Sequence, residues 1–184
     1  MRISVACLML FFIGVWGEQK CTRDGNGVLR YNGRPCASTT RYDDGRRGAC
    51  GCGPRNSDTP FGWNLADYVT APSQNFFRGD NLWCGAACGS CVKLTPTGGF
   101  VPWEGRAPRN TNSVTFMVTN VCPVVGNWKW CSSRNSYGYD VHFDLQNNIG
   151  QISNGLGWDN VEVTWENVPC SQDQINKYRQ CECR

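Results

Sequence analysis

The sequence predicts a mainly β domain that is secreted and cross-linked by disulfides. Three observations carry this prediction: an apolar run near the amino terminus, an even number of cysteines once that run is removed, and short alternating segments separated by glycine-rich turns. The 184 residues include 21 glycines and 8 tryptophans. This composition suits short strands joined by tight turns, with a surface able to stack on flat apolar faces.

The amino-terminal segment has the features of a secretory signal peptide. Arg2 precedes an apolar run from Val5 to Val15, and the small residue Gly17 follows. We expect cleavage after Gly17, so that residues 1–17 form the signal and residues 18–184 form a single domain. A run this short does not cross a bilayer, so we expect no membrane anchor.

The cysteines predict a disulfide framework. Cys7 would leave with the signal, so 12 of the 13 cysteines remain in an oxidising compartment, and we expect six disulfides of undetermined pairing. Close spacings such as Cys50-x-Cys52 also occur in zinc sites. Secretion, the even count and the single histidine favour disulfides, so we expect no metal and no cofactor.

The charge balance excludes a nucleic-acid-binding protein. Without Arg2 the chain has 17 basic and 15 acidic residues, and no basic run is longer than Arg46-Arg47. A nucleic-acid partner would require a basic patch or stripe. We therefore expect no nucleic-acid partner.

Alternation of apolar and polar residues predicts the strands. They are expected over residues 37–42, 91–95, 114–120, 140–145 and 161–166. A short helix is expected around residues 64–70, and residues 18–35 are expected to be irregular. The strands lack the intervening helices of a parallel α/β sheet.

One predicted strand carries a carboxylic acid and the only histidine of the chain. His142 and Asp144 alternate with Val141, Phe143 and Leu145, so their side chains point the same way, about 7 Å apart along the strand. Such a pair suits acid chemistry. It equally suits the solvated face of a β protein, and the local pattern does not separate the two.

Two other strand ends carry polar residues. The strand over 37–42 runs into Asp43 and Asp44, which fit either a site or a simple Asp-Gly turn. Asn120 ends the strand over 114–120 on its inward side, where an amide needs hydrogen-bond partners. Its alternative role is to cap the corner at Cys122 and Pro123.

Carboxylates are the candidate catalytic groups that remain once other chemistries are considered. No Gly-x-Ser-x-Gly elbow supports a triad based on His142, and no Gly-x-Gly-x-x-Gly follows a strand in a βαβ unit. Hydrolysis of a glycosidic bond uses one protonated carboxyl and a second group that handles water. Asp144 and Asp44 are the candidates for these two roles.

Three segments together resemble glycoside hydrolase family 45 endoglucanases, especially the short mollusc-type members. These segments are residues 39–44, Thr-Thr-Arg-Tyr-Asp-Asp; residues 48–53, Gly-Ala-Cys-Gly-Cys-Gly; and residues 142–145, His-Phe-Asp-Leu. The resemblance implies a six-stranded double-psi β-barrel with an open groove. It also implies a monomer that hydrolyses β-1,4-glucan with inversion, with the carboxylates about 6.5–9.5 Å apart.

The resemblance also implies roles for particular residues. The family's acid falls on Asp144 and its base on Asp44, and Thr40, Tyr42 and His142 would contact the substrate. In some related enzymes an asparagine at the position of Asn120 is implicated as the base.

One departure and one alternative accompany this resemblance. Fungal relatives have Asp-Cys-Cys where Asp44 is followed by Gly45, and a glycine there is expected to leave the loop mobile. The related expansins share the barrel but lack the base and append a second domain. An expansin-like, non-lytic wall-loosening or carbohydrate-binding protein is therefore the second hypothesis, ahead of a disulfide-rich defence or inhibitor protein.

Overall fold

The structure, a computed structural model, describes residues 19–79 and 82–184, and the expected signal peptide lies outside these residues. The strands in the described part are β1 (Thr22–Arg23), β2 (Leu29–Tyr31), β3 (Arg34–Tyr42), β4 (Val69–Pro72), β5 (Cys91–Phe100), β6 (Val114–Val118), β7 (His142–Gln146) and β8 (Val161–Val168). The helices are α1 (Gly62–Ala66), α2 (Gln74–Phe77), α3 (Trp128–Cys131) and α4 (Gln172–Tyr178), with a π-helical segment at Gln151–Leu156.

Six strands close into a barrel. Their order is β3, β7, β4, β6, β5 and β8, and β8 pairs back onto β3. β3 is parallel to β7 and β4 is parallel to β6, whereas the other neighbours in the barrel are antiparallel. The predicted mainly β fold is therefore confirmed, and β1 and β2 form a hairpin that extends from β3.

The barrel interior is filled by apolar side chains that alternate along the strands. Phe143 and Leu145 of β7 are fully buried, as their alternation with polar residues predicts. Aliphatic and aromatic residues from four other strands, from the π-helical segment and from the turn before β8 complete this core: Ala37, Val92, Leu94, Phe116, Ile152, Leu156, Trp158, Val161 and Val163. The packed interior fixes the strands that carry the polar residues of the site.

Two local predictions were wrong. Helix α1 ends at Ala66, and Val69 and Thr70 lie in β4, because these β-branched residues pair with β6 and β7 inside the barrel. Within the segment predicted to be irregular, residues 22–31 form the β1–β2 hairpin. The Asp24 carboxylate accepts hydrogen bonds from the backbone of Asn26 and Val28 and so shapes its turn.

Six disulfides cross-link the described residues, as predicted. They join Cys21 to Cys36, Cys50 to Cys88, Cys52 to Cys181, Cys84 to Cys183, Cys91 to Cys170, and Cys122 to Cys131. This density is typical of extracellular proteins. Across residues 19–79 and 82–184, none of the helices has the length and apolar character needed to traverse a lipid bilayer.

Candidate active site

Asp144 occupies the middle of β7, between β3 and β4. Parallel pairing places Thr40 of β3 opposite it, and antiparallel pairing places Ala71 of β4 on its other side. The Thr70 hydroxyl donates a hydrogen bond to the backbone carbonyl of Asp144 at 2.9 Å. Asp144 is half-buried, and its backbone is held by strands on both sides.

A chain of hydrogen bonds leads from the interior to Asp144. The Thr40 hydroxyl donates to Oδ1 of Asp144 at 2.6 Å and lies 2.8 Å from Nε2 of His142. On the other side of the imidazole, Nδ1 lies 2.8 Å from the hydroxyl of Ser38, and the Asn135 amide donates to Ser38 at 2.8 Å. We call Asn135, Ser38, His142 and Thr40 the acid-supporting network.

The directions of these hydrogen bonds follow from the number of protons available. Thr40 has one hydroxyl proton and gives it to Asp144, so Nε2 of His142 must carry the proton that is donated to Thr40. Nδ1 of His142 is then the acceptor for Ser38. Because Oδ1 of Asp144 already accepts from Thr40, the proton of the carboxylic acid resides on Oδ2.

The protonation states agree with this arrangement. Burial raises the pKa of Asp144 to about 6, a hydrogen bond from Thr40 opposes the increase, and the charge of Asp44 adds to it. Burial lowers the pKa of His142 to about 3. At mildly acidic pH the site therefore holds a neutral imidazole and a protonated carboxyl, which is the form that can donate a proton.

Tyr42 connects Asp144 to the other candidate residues. It ends β3, and burial raises the pKa of its phenol well above the usual value. The negative charges of Asp144 and Asp44 raise this pKa further, whereas a hydrogen bond with the Asn120 side chain lowers it. The phenol of Tyr42 is thus hydrogen-bonded to Asn120 and lies within electrostatic range of Asp144 and Asp44.

Asn120 is held by the backbone of a neighbouring loop. Its Oδ1 accepts hydrogen bonds from the amides of Ala49 and Val121 at 2.8 and 2.9 Å. Gly48 allows this contact, because a Cβ at that position would lie 2.7 Å from Cβ and Cγ of Asn120. With its oxygen occupied, the Asn120 side chain offers its NH2 group to Tyr42, as a donor rather than as a proton acceptor.

Asp44 is exposed, but its loop is tied to the barrel. Asp44 accepts a hydrogen bond from the backbone amide of Arg46 at 3.0 Å. Next to it, Asn148 donates to the carbonyl of Asp43 at 3.2 Å, and Gln146 of β7 donates to Asn148 at 2.5 Å. This tether contrasts with the mobile loop expected from Gly45.

An open pocket of about 360 Å³ adjoins the acid. Its lining includes Thr40, Arg41, Glu104, Asn127, Asp144 and Asn160. Most of these side chains are polar hydrogen-bonding groups, which suits a hydroxylated ligand rather than an apolar one.

A metal does not fit this site. Among the described residues, the histidine, cysteine and acidic side chains that come close enough together to be considered as a metal-ligand group are Cys122, Cys131 and His142. The two cysteines form a disulfide, and both nitrogens of His142 are hydrogen-bonded. These groups therefore have no ligand atom to offer.

A second buried carboxylate, Glu162, serves the fold instead. It accepts hydrogen bonds from the backbone amides of Lys20 and Cys21 and from the hydroxyls of Thr97 and Tyr139. These four donors occupy the lone pairs of the Glu162 carboxylate, which therefore holds the amino-terminal segment against β8.

The structure changes the expectation for His142. We expected this residue to contact substrate, but it is fully buried and its ring lies 5.4 Å from that of Trp130. Both of its nitrogens serve the acid-supporting network, so it acts on Asp144 through Thr40. Sequence reasoning missed Ser38, Asn135 and Gln146; the parallel register of β3 and β7, which no local pattern encodes, is what brings Ser38 beside His142.

Comparisons with known proteins identify relatives of this chain. The domain family described as EXPB1-like domain 1 matches residues 37–177. A curated endoglucanase of Mytilus edulis is 46% identical over 182 residues, covering 90% of this chain and 98% of the relative. The crystal structure of the GH45 endoglucanase EG27II with cellobiose is 60% identical, with a TM-score of 0.86 over 90% of this chain and 98% of that one.

The chain belongs to glycoside hydrolase family 45. The β-1,4-D-endoglucanase Cel45A of the blue mussel, another family 45 structure, has 46% identity and a TM-score of 0.82 over 90% of this chain and 99% of that one. A fungal relative, Endoglucanase-5 of Hypocrea jecorina, is 40% identical, and the match covers 80% of this chain and 62% of the relative. The family 45 resemblance and its double-psi β-barrel are thus confirmed.

Proposed function

We propose that the protein is an endo-β-1,4-glucanase that inverts the anomeric carbon, with Asp144 as the general acid and Asp44 as the general base. The observation that carries the proposal is the half-buried Asp144, whose pKa is raised to about 6, on the wall of an open polar pocket. A general acid works best with a pKa near the operating pH.

The two carboxyl groups have complementary roles in this reaction. Asp144 gives its proton to the glycosidic oxygen as the bond between that oxygen and C1 breaks. A water molecule attacks C1 from the opposite face, and its proton passes to Asp44. The product has the α configuration, and the carboxyl groups return to their starting states when Asp144 takes up a proton and Asp44 releases one.

The choice of Asp44 over Asn120 as the base rests on available lone pairs. The Asn120 oxygen accepts two backbone hydrogen bonds, and its NH2 group is a donor. Asp44 is an exposed carboxylate with one oxygen free of the Arg46 contact. In this proposal Asn120 orients Tyr42 and the attacking water, and Asp44 takes the proton.

We also propose that the protein is secreted after cleavage behind Gly17. The six disulfides support an oxidising destination. Amino-terminal sequencing of the protein recovered from the medium of expressing eukaryotic cells should begin at Glu18. A different first residue would refute the cleavage site.

Two measurements test the enzymatic proposal. Purified protein should lower the viscosity of carboxymethylcellulose rapidly while few reducing ends are formed, because internal bonds are cut. Proton NMR of cello-oligosaccharide hydrolysis should show the α anomer first. Early appearance of the β anomer would exclude the inverting mechanism, and unchanged viscosity would exclude the glucanase.

A second candidate function is expansin-like wall loosening without hydrolysis. The description of the matched domain as EXPB1-like favours it. The presence of Asp44, the position of the family base, favours hydrolysis. Binding to cellulose and weakening of cellulose fibres without new reducing ends would establish this alternative.

A further inference from the structure

Trp103 is an exposed indole held in an unusual backbone conformation. Its side chain is 80% exposed, and its φ angle is +67°. It follows Pro102, and the backbone amide of Glu104 donates to the carbonyl of Val101 at 3.2 Å. A proline at the second residue and a positive φ at the third residue are typical of a type II turn, in which glycine or asparagine normally occupies the third position.

The strain at Trp103 is not offset by burial of its ring. A bulky side chain in the left-handed region destabilises a fold, and such residues persist mainly at functional positions. A tryptophan that filled the core would gain free energy from leaving water, but this ring stays in solvent. The conformation therefore favours a role in binding.

The turn that carries Trp103 is rigid and adjoins the acid pocket. The carbonyl of Glu104 accepts a hydrogen bond from the Asn160 amide at 2.8 Å, and Gly105 packs so closely that a Cβ would lie 2.6 Å from the Asn160 carbonyl oxygen. Glu104 and Asn160 also line the pocket of Asp144. The exposed indole is thus carried by a turn whose next residue lines the pocket.

A second exposed indole lies across an ion pair from this turn. Trp128 is 67% exposed at the start of α3, and its neighbour Asn127 lines the acid pocket. The next residue, Lys129, contacts Glu104 at 2.6 Å. The ion pair joins the two tryptophan-bearing segments at one side of the groove.

We propose that Trp103 and Trp128 form a platform that binds a β-1,4-glucan chain beyond the pocket of Asp144. The apolar faces of successive pyranose rings stack on exposed indoles, while the hydroxyls at the ring edges remain available to polar groups and water. The platform rests on the proposed glucanase function and extends the groove on the Asp144 side. Its ligand is a chain longer than the pocket itself holds.

Trp103→Asn tests the platform without disturbing the turn. Asparagine tolerates a positive φ, so this variant removes the ring while keeping the backbone. In an Asp144→Asn background, calorimetry with cellohexaose should show affinity about three- to tenfold weaker than the parent, the range expected for one lost stacking contact. Affinity for cellobiose should change less, because a short ligand fits within the pocket.

The control variants separate binding from folding. Trp103→Phe should retain most of the affinity, Trp128→Ala should lose affinity for cellohexaose, and Ile175→Ala, an exposed apolar residue of α4, should have no effect. The thermal unfolding temperature of Trp103→Asn should equal or exceed that of the parent. Unchanged cellohexaose affinity, or lost affinity with a lower unfolding temperature, would overturn the platform.

The same measurements distinguish the two proposals. If the wild-type protein lowers carboxymethylcellulose viscosity and Trp103→Asn keeps its affinity, only the platform fails. If the wild-type protein neither cuts nor binds glucans, the glucanase function fails, and the platform with it.

Discussion

Thr40 is the hydrogen-bonded link between His142 and Asp144. Its hydroxyl donates to Oδ1 of Asp144 at 2.6 Å and accepts from Nε2 of His142 at 2.8 Å. This one hydroxyl joins a neutral imidazole to the carboxyl that the proposed reaction needs in its protonated form. It also opposes the rise in the pKa of Asp144 that burial causes.

Replacement of Thr40 by valine should shift the pH dependence of activity. Loss of the donated hydrogen bond raises the pKa of Asp144 further, so the decline of kcat/KM on the alkaline side should move to higher pH. The carboxyl also loses its orientation, and kcat should fall about tenfold. The pH profile of cello-oligosaccharide hydrolysis measures both effects.

Thr40→Ser is the matched control, because it keeps the hydroxyl. The pH profile of Thr40→Ser should stay close to that of the wild type. Thr40→Val should also lower the free energy of unfolding by about 1–3 kcal/mol, since the buried Nε2 proton of His142 loses its acceptor. If the alkaline decline of kcat/KM in Thr40→Val falls at the same pH as in the wild type, the proposed hydrogen-bonded link is contradicted.

Asp144→Asn should nearly abolish turnover and yet stabilise the protein at neutral pH. General acid catalysis typically contributes about 10²- to 10⁴-fold, and asparagine cannot donate the proton. The asparagine oxygen can still accept the Thr40 hydrogen bond. Initial rates on carboxymethylcellulose and urea unfolding at pH 7 measure the two effects.

The sign of the stability change follows from the pKa of about 6. The folded protein binds the Asp144 proton more tightly than the unfolded chain does, so the free energy of unfolding contributed by this group declines as pH rises from about 4 to about 6. The variant loses this dependence and should be more stable at pH 7 by about 1–3 kcal/mol. Reduced stability at pH 7 would contradict the assigned protonation.

Much of the barrel could be predicted from alternation, because buried strands such as β7 place every second residue in the core. The roles of Asp144 and Asp44 were predicted from two motifs and stay predictions. The burial of His142 could not be predicted, because alternation alone assigns it to the face opposite Phe143, and only the packing of the segment that carries Trp130 and Asn135 covers that face. The hairpin over 22–31 was missed because its strands are very short.

Asp44 and Asn120 should respond differently to an added base. Asp44→Ala removes the proposed proton acceptor, and added formate, a small carboxylate, should restore part of the lost rate. Asn120→Ala removes the donor to Tyr42 and the oxygen that accepts from the backbone amides of Ala49 and Val121, but not the proposed proton acceptor, so formate should not restore its rate. Formate rescue of Asn120→Ala with none for Asp44→Ala would reverse the assignment.

Gly48→Ala should lower activity through Asn120. The added Cβ would lie 2.6 Å from the carbonyl oxygen of Thr119 and 2.7 Å from Asn120, so the loop must move. The hydrogen bond from the Ala49 backbone amide to Oδ1 of Asn120 is then lost. We expect a roughly tenfold lower kcat and about 1–3 kcal/mol lower stability. Gly62→Ala is the control, since the space beside Gly62 in α1 is open and alanine favours a helix.

Asn148→Ala should lower kcat by releasing the loop that carries Asp44. The Asn148 side chain donates a hydrogen bond to the carbonyl of Asp43 and accepts one from Gln146. Removing this side chain therefore frees the loop from β7. Because Asn148 is exposed, thermal unfolding should change little, and Asn176→Ala, an exposed asparagine of α4, should leave both properties unchanged.

A double variant decides whether Asn148 acts through Asp44. If the tether serves only to place that carboxylate, adding Asn148→Ala to Asp44→Ala should cause no further loss of kcat, because the group it positions is already gone. Losses that multiply in the double variant would show that Asn148 acts on the reaction independently of Asp44. Steady-state kinetics on one soluble cello-oligosaccharide at a single pH, for the two single variants and the double variant, provide the comparison.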